Sequence, residues 1–281
     1  MYYVLLAGSA LLFSVQFLLN EKYQKQAGSG WDASLKFSLY SSVTGLAVLL
    51  IINRFRLEVS LFSVLVAAFY SAILIGLNAC SVCAFQWANL SVYSVFSMVG
   101  GMLLPFLYGV ICGEKLTGMR IACCLLIAVS VLMNLNRGSH GKKAFRYYMA
   151  VFVLNGMVGV VSKFHQSNPS LCVDSASFLI HTKMITGAAC AILLAAGKSK
   201  GFAIGKKAFA YSAVSAVLNS GANLILLIAL LRLPASVQYP VVTGGVIVFS
   251  CLIDLIRGET VRKKELIAAL VAFLSTLMMA F

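Results

Sequence analysis

The 281-residue chain is 61% hydrophobic and only 11% charged, against nearly half apolar and about a quarter charged in soluble domains, which excludes a water-soluble fold. Its formal net charge of +14 does not mark a nucleic-acid partner, because Lys and Arg cluster in short breaks between apolar runs and build no basic face. The basicity fits membrane orientation and anionic lipid headgroups instead. The eight acidic residues, Glu21, Asp32, Glu58, Glu114, Asp174, Asp254, Glu259 and Glu265, all fall in or near the same breaks.

A membrane span needs about 20 mostly apolar residues. On that basis the first half is predicted to hold helices near 2–20, 34–52, 60–84, 89–111 and 117–136, and the second near 146–164, 174–197, 206–230, 234–256 and 263–281. The first run follows Met1 with no basic segment ahead of it, so it reads as a retained span rather than a cleaved signal. Tight hairpins are expected at Gln86 to Asn89 and at Leu231 to Pro234. Seven of the eight cysteines, the Cys80 and Cys83 pair among them, lie in apolar runs, where free Cys packs as a small hydrophobe. No disulfides are predicted.

Polar side chains inside these runs are costly in hydrocarbon and are expected to face the bundle interior. On the first span Ser9, Gln16 and Asn20 form a stripe, and on the eighth Ser212, Ser215, Asn219 and Asn223 do the same. Each stripe suits a solute path or interhelical hydrogen bonding. Lys183 lies nine residues after Asp174, about 13 Å along a helix at about 1.5 Å per residue, and hence near mid-membrane. It suits an anchor for a carboxylate or phosphate, or a lysine buried neutral or bonded to helix-end carbonyls. His181, two residues away, falls on roughly the opposite face and ranks lower, as a structural hydrogen-bonding group. Tyr93, Gln238, Tyr239 and Pro240 open the fourth and ninth spans, with Gly100-Gly101 and Gly244-Gly245 about two turns later. Glycine allows close helix approach and proline removes a backbone donor, so these spans are predicted to be the moving parts. Tyr40, Tyr93 and Tyr239 offer faces for stacking or for a cationic headgroup.

Internal symmetry ties the halves together. A shift of 145 residues places Gly76-Leu77-Asn78 on Gly221-Ala222-Asn223, Ser91-Val92 on Ser236-Val237, Gly100 on Gly245, and Ile111-x-Gly113-Glu114 on Ile256-x-Gly258-Glu259. A shift near 141 brings Lys22-Tyr23 onto Lys163-Phe164, and one further residue brings Thr44-Gly45 onto Thr186-Gly187. The polar linker at 137–143 divides a first five-helix repeat, residues 1–137, from a second, residues 144–281. Five is odd, so the second repeat must be inverted. Of the 22 Lys and Arg, Lys183 lies within a span, fifteen fall on one set of loops and six on the other. The positive-inside rule then makes the richer set cytoplasmic and places both termini outside.

Gly113-Glu114-Lys115-Leu116-Thr117 closes the fourth span and Gly258-Glu259-Thr260 closes the ninth, each before a final small-residue-rich span. With ten spans in two halves, this pattern resembles the EamA-type branch of the drug/metabolite transporter superfamily over essentially the whole chain. The resemblance implies an all-α integral membrane fold of ten transmembrane helices in two inverted five-helix repeats. It also implies transport of a small solute, and its usual cytoplasmic termini oppose the charge count. On the residues themselves, the Gly-Glu pair serves helix ends: glycine takes the left-handed position after one helix, and glutamate favours the positive end of the next.

No Asp or Glu lies in the middle of a span, Asp254 coming nearest, so a carboxylate proton relay is not predicted. Neither a nucleotide-binding loop nor a His-Glu-x-x-His pattern occurs. The sequence therefore predicts a secondary transporter rather than an enzyme, with no cofactor and no metal. It moves a small polar metabolite, anionic or zwitterionic, by alternating access about a cavity formed mainly by spans one, three, four, six, eight and nine. The predicted substrate-binding residues are Lys183, Asn78, Asn223, Tyr93, Tyr239, Gln238, Asn219, Gln16, Tyr40 and His181. Membrane lipids and the solute are the expected partners, the cell membrane the expected location, and monomer and homodimer stay equally open. One alternative is an aromatic-lined transporter of an organic cation or quaternary amine. Others are a non-transporting scaffold and an intramembrane enzyme acting on a lipid headgroup through His165 and Asp174.

Overall fold

Apolar runs that must satisfy every backbone group without water fold as helices, and in the computed structural model the described residues form nine: α1 (Tyr2–Ala27), α2 (Trp31–Ile52), α3 (Leu61–Ala84), α4 (Leu90–Ile111), α5 (Gly141–Gln166), α6 (Ser175–Ala196), α7 (Lys206–Leu230), α8 (Ala235–Ile256) and α9 (Lys263–Ala280). The described residues are 2–87, 90–113, 118–119, 121–123, 125–126, 129, 141–197, 201–230, 232–233, 235–259, 261 and 263–280. The predicted fifth span, 117–136, and the linker ahead of α5 lie mostly outside them, and α5 to α9 occupy the predicted sixth to tenth spans. Seven of the helices, α1 to α7, contain stretches long and apolar enough to cross a membrane, and shorter apolar stretches lie within α8 and α9. The chain is an all-α, multi-pass membrane protein.

Local signals explain where helices begin and end. Ser60 caps α3 by accepting from Ser63 N, and Asp174 caps α6 by accepting from Ala176 N and Ser177 N, satisfying donors the first turn leaves open. Gly258 adopts a φ of +71° after α8. There Gly258 N donates to Leu255 O and Glu259 N to Asp254 O, the Schellman pairing that favours glycine. Gly113 takes a left-handed φ of +91° after α4, with its N–H on Val110 O. Glu259 receives Arg257 Nη2 at 3.3 Å. The first helix also runs past its predicted end at Asn20 to Ala27. Tyr23 is buried there with its hydroxyl donating to Ala33 O at 2.7 Å, and Glu21 pairs with Lys25 one turn on.

Among the described residues, helices pack mostly against helices distant in sequence. α1 lies along α7 and α8, α5 along α3 and α4, α2 along α6 and α7, α3 along α6, and α4 against α8. Gly100 of α4 meets the backbone of Phe152 on α5, and Gly245 of α8 meets Ala10 on α1. Ser14 Oγ donates to Val246 O at 3.2 Å across α1 and α8, while Asn155 Nδ2 donates to Ser97 O at 2.6 Å across α5 and α4. Thr243 Oγ1 donates to Met98 O at 3.2 Å, joining positions 145 residues apart. The main apolar core gathers around α1, α4 and α8, with Leu6, Phe13, Phe96, Met102 and Ile247 among its buried members. None of the seven described cysteines forms a disulfide.

Candidate functional site

Between α1 and α8 lies a cavity of about 150 Å³ whose lining draws on all eight of these helices. α1 contributes Gln16 and Asn20; α3 contributes Tyr70 and Asn78; α4 contributes Tyr93 and Ser97; α5 contributes Asn155. From α6 come Thr182, Lys183 and Thr186, from α7 Ser215, Asn219, Ser220 and Asn223, and from α8 Tyr239 and Thr243. The six spans expected to form it all do so, and α2 and α6 join them because Gly45 and Gly187 admit the neighbouring helices closely.

Much of the polar lining is internally bonded, which fixes its geometry. Ser215 Oγ donates to Asn20 Oδ1 at 2.6 Å, Asn219 Nδ2 to Gln16 Oε1 at 3.4 Å, and Asn223 Nδ2 to Asn219 O at 2.8 Å. Asn78 Nδ2 donates to Ser38 Oγ at 2.9 Å, and the Tyr93 hydroxyl shares a 2.8 Å bond with Ser81. An amide that donates in this way keeps its carbonyl oxygen, or its second proton, for another partner. Tyr93 is further held by Phe17 and Phe85, at ring-centroid distances of 5.1 and 4.2 Å.

Lys183 is the one ionisable side chain other than tyrosine in the described lining, and it has no hydrogen-bond or ion-pair partner among the described residues. Its stem lies against Gly45: a Cβ built there would stand 3.1 Å from Lys183 Cε and 2.8 Å from Ser220 Oγ. Ser220 Oγ and Thr186 Oγ1 are buried without a hydrogen-bond partner. Unpaired polar groups in a low-dielectric interior are expensive, so this corner is held in a costly arrangement that a polar solute would relieve.

Seven of the ten predicted site residues thus meet at one cavity: Lys183, Asn78, Asn223, Tyr93, Tyr239, Asn219 and Gln16. Three do not. The Tyr40 hydroxyl donates to Phe202 O at 2.7 Å at the edge of the bundle, and its ring packs edge-on against Phe209. Gln238 is fully buried and its Nε2 donates to Leu226 O at 2.5 Å, tying α8 to α7. His181 is buried outside the lining, as expected of a residue on the helix face away from Lys183. Of the predicted stripes, Ser9 and Ser212 spend their hydroxyls on Ala222 O and Phe209 O. Asn155, Tyr70, Thr186 and Ser220 were missed. Asn155, alone between Leu154 and Gly156 in an apolar run, carries the same signal as Lys183; the hydroxyls carry none, since serine and threonine bond helix to helix throughout such bundles.

His165 and Asp174 are committed to structure. Ser63 Oγ lies 2.8 Å from His165 Nε2, the imidazole stacks on Phe178 at 4.1 Å, and Asp174 is the α6 cap. Among the described residues no three His, Cys, Asp or Glu are grouped to hold a metal. One charged network lies just beyond the cavity. Glu21, next to Asn20, receives Arg257 at 2.8 Å and Lys25 at 2.6 Å, and Arg257 also reaches Asp254 and Glu259.

No family model matches the sequence, and no curated protein does. Solved structures do. One, described simply as the crystal structure of a protein, superposes with a TM-score of 0.66 over 97% of this chain and 96% of that chain, at 15% sequence identity. That likeness establishes a shared fold over nearly the full length of both chains.

Proposed function

We propose that the protein is a secondary transporter that moves a small polar metabolite, anionic or zwitterionic, across the cell membrane by alternating access. The observation that carries the reading is the central cavity, lined by polar side chains from eight helices and holding one unpaired lysine. Sites of this kind near mid-bilayer, at the interface of two halves, are where secondary transporters bind their solutes. Its 150 Å³ is about the volume that holds benzene in an engineered apolar cavity, so the solute is small.

Two inverted five-helix repeats belong to the same proposal, as does membership of the drug/metabolite transporter superfamily. Quasi-equivalent contacts support the repeats. Gly100 against Phe152 and Gly245 against Ala10 join corresponding helix pairs, Ser14 and Asn155 each bond a backbone carbonyl across those pairs, and the Thr243 to Met98 bond links equivalent positions, as beside a pseudo-two-fold axis. The paired left-handed glycines, Gly113 and Gly258, fit the same register. Such halves rock against each other about the fixed site.

Tyr70, Tyr93 and Tyr239 in the lining favour a second reading, an aromatic-lined site for an organic cation. Counterflow into proteoliposomes loaded with metabolites sorted by charge separates the two. Uptake of labelled acids or zwitterions, lost in Lys183→Ala, supports the first reading; uptake of amines, undiminished in that variant, supports the second. Counterflow of no compound, with melts that no compound shifts, overturns transport and leaves the scaffold reading.

A further inference from the structure

We infer that the Lys183 corner of the cavity is an acid-group subsite, built to hold the carboxylate or phosphate of a small organic anion whose remainder is uncharged. The inference rests on the transporter reading and narrows it, because it excludes zwitterions as well as cations.

Three donors from two helices line this part of the cavity. Lys183 and Thr186 stand one turn apart on α6, and Ser220 of α7 meets Gly45 together with Lys183. Gly45 fixes their spacing from α2, since Lys183 Cε and Ser220 Oγ each stand within about 3 Å of the point where its Cβ would lie. The hydroxyls of Thr186 and Ser220, residues 2% and 1% exposed, have no hydrogen-bond partner among the described residues. An ammonium with two free hydroxyls matches the several lone pairs of a carboxylate or phosphate, and charge-assisted bonds of that kind are the strong ones.

The rest of the described lining has no complementary charge. No Asp or Glu is in it, and the two carboxylates buried among the described residues, Glu21 and Asp254, are engaged by Arg257. A solute ammonium would find amide oxygens, hydroxyls and tyrosine rings there but no carboxylate, and would lose its hydration without an ion pair. Amide groups of Asn78, Asn219 and Asn223 with the tyrosine rings suit a neutral hydroxylated, amide or aromatic body.

Matched probes test this on the full-length protein in detergent and in proteoliposomes. Benzoate, benzamide and benzylamine form one set; lactate, lactamide and alanine form another; small phosphate monoesters form a third. Acids or phosphate esters are expected to bind and to exchange, with their amides, amines and the amino acid at least about tenfold weaker. Lys183→Met is expected to lose roughly tenfold or more of the acid affinity, Lys183→Arg to retain most of it, and Thr186→Val and Ser220→Ala to lose severalfold each. The last two change one hydroxyl and carry the test should Lys183→Met fail to fold. Undiminished acid binding in Lys183→Met, or in both hydroxyl variants, overturns the subsite. So does amine or amino-acid binding tighter than that of the acids; counterflow of that amine would leave the transporter reading standing. Binding and exchange of no compound of any charge overturns both.

Discussion

Gly45 shows how much of the site depends on single side chains. A methyl group there would press on Ser220 Oγ at 2.8 Å and on Lys183 Cε at 3.1 Å, both mobile ends of side chains rather than backbone. Gly45→Ala should therefore cost the fold only about 1 kcal/mol, the low end for overpacking, while moving two of the three donors of the acid subsite. Thermal melts are expected to shift by a few degrees and the affinity for an acid probe to fall severalfold; a melt collapse with unchanged affinity would place Gly45 in packing alone. At this scale the sequence was legible where charge or amide groups sat inside apolar runs. Lys183, Asn78, Asn219, Asn223 and Gln16 had nowhere to go but inward. It was not legible for aromatics and hydroxyls, because apolar periodicity does not say which inward face meets a cavity. Tyr93 and Tyr239 reached the cavity and Tyr40 reached Phe202, though all three look alike in the chain.

Between helices, the two glycines that the 145-residue shift makes equivalent are expected to behave differently. A Cβ at Gly100 would fall 2.0 Å from Phe152 O, a backbone atom in the middle of α5, whereas one at Gly245 would meet Ala10 Cβ at 2.8 Å. Only separation of α4 and α5 relieves the first, so Gly100→Ala should cost about 3 kcal/mol or more, the upper end for overpacking; Gly245→Ala should cost visibly less. Melts of the two variants side by side check the order, and equal losses would contradict the packing described. Gly258→Ala is a third case: its strain lies in the φ of +71°, worth roughly 1 to 2 kcal/mol for an L-residue, with no clash to add. Helix existence was readable from apolar run length, and the Gly-Glu turns gave two ends correctly. The end of α1 was not, because Glu21, Tyr23 and Lys25 look like loop in a linear reading. Tyr23 is covered from α2, where Ala33 O takes its hydroxyl, and Glu21 is paired by Arg257, 236 residues away.

Across the whole molecule, the proposed alternating access requires the cavity to be closed at one end, and the network around Glu21 is the candidate for that closure. Glu21 and Asp254 are 4% and 0% exposed, and Glu21 follows Asn20, which lines the cavity and accepts from Ser215. Arg257 ties the two carboxylates together, and with them the end of α1 to the end of α8, helices that the proposed repeat assigns to opposite halves. A buried ion pair gives little net stability but is costly to leave half-broken, which suits a latch that holds one state until both partners separate together. Glu21→Gln removes the charge with little change of shape and leaves Arg257 with Asp254 and Glu259, so the protein should still fold while the end it closes opens more often. The readout is the rate at which a membrane-impermeant thiol reagent modifies a cysteine placed at Ser215, followed by mass spectrometry so that the native cysteines do not interfere. In the otherwise unaltered protein the rate should be slow, and Glu21→Gln should raise it severalfold. The paired exchange Glu21→Arg with Arg257→Glu should restore much of the slow rate. Equal rates in all three would make the network a fixed tie between α1 and α8, and the moving closure would then have to lie at the other end of the bundle.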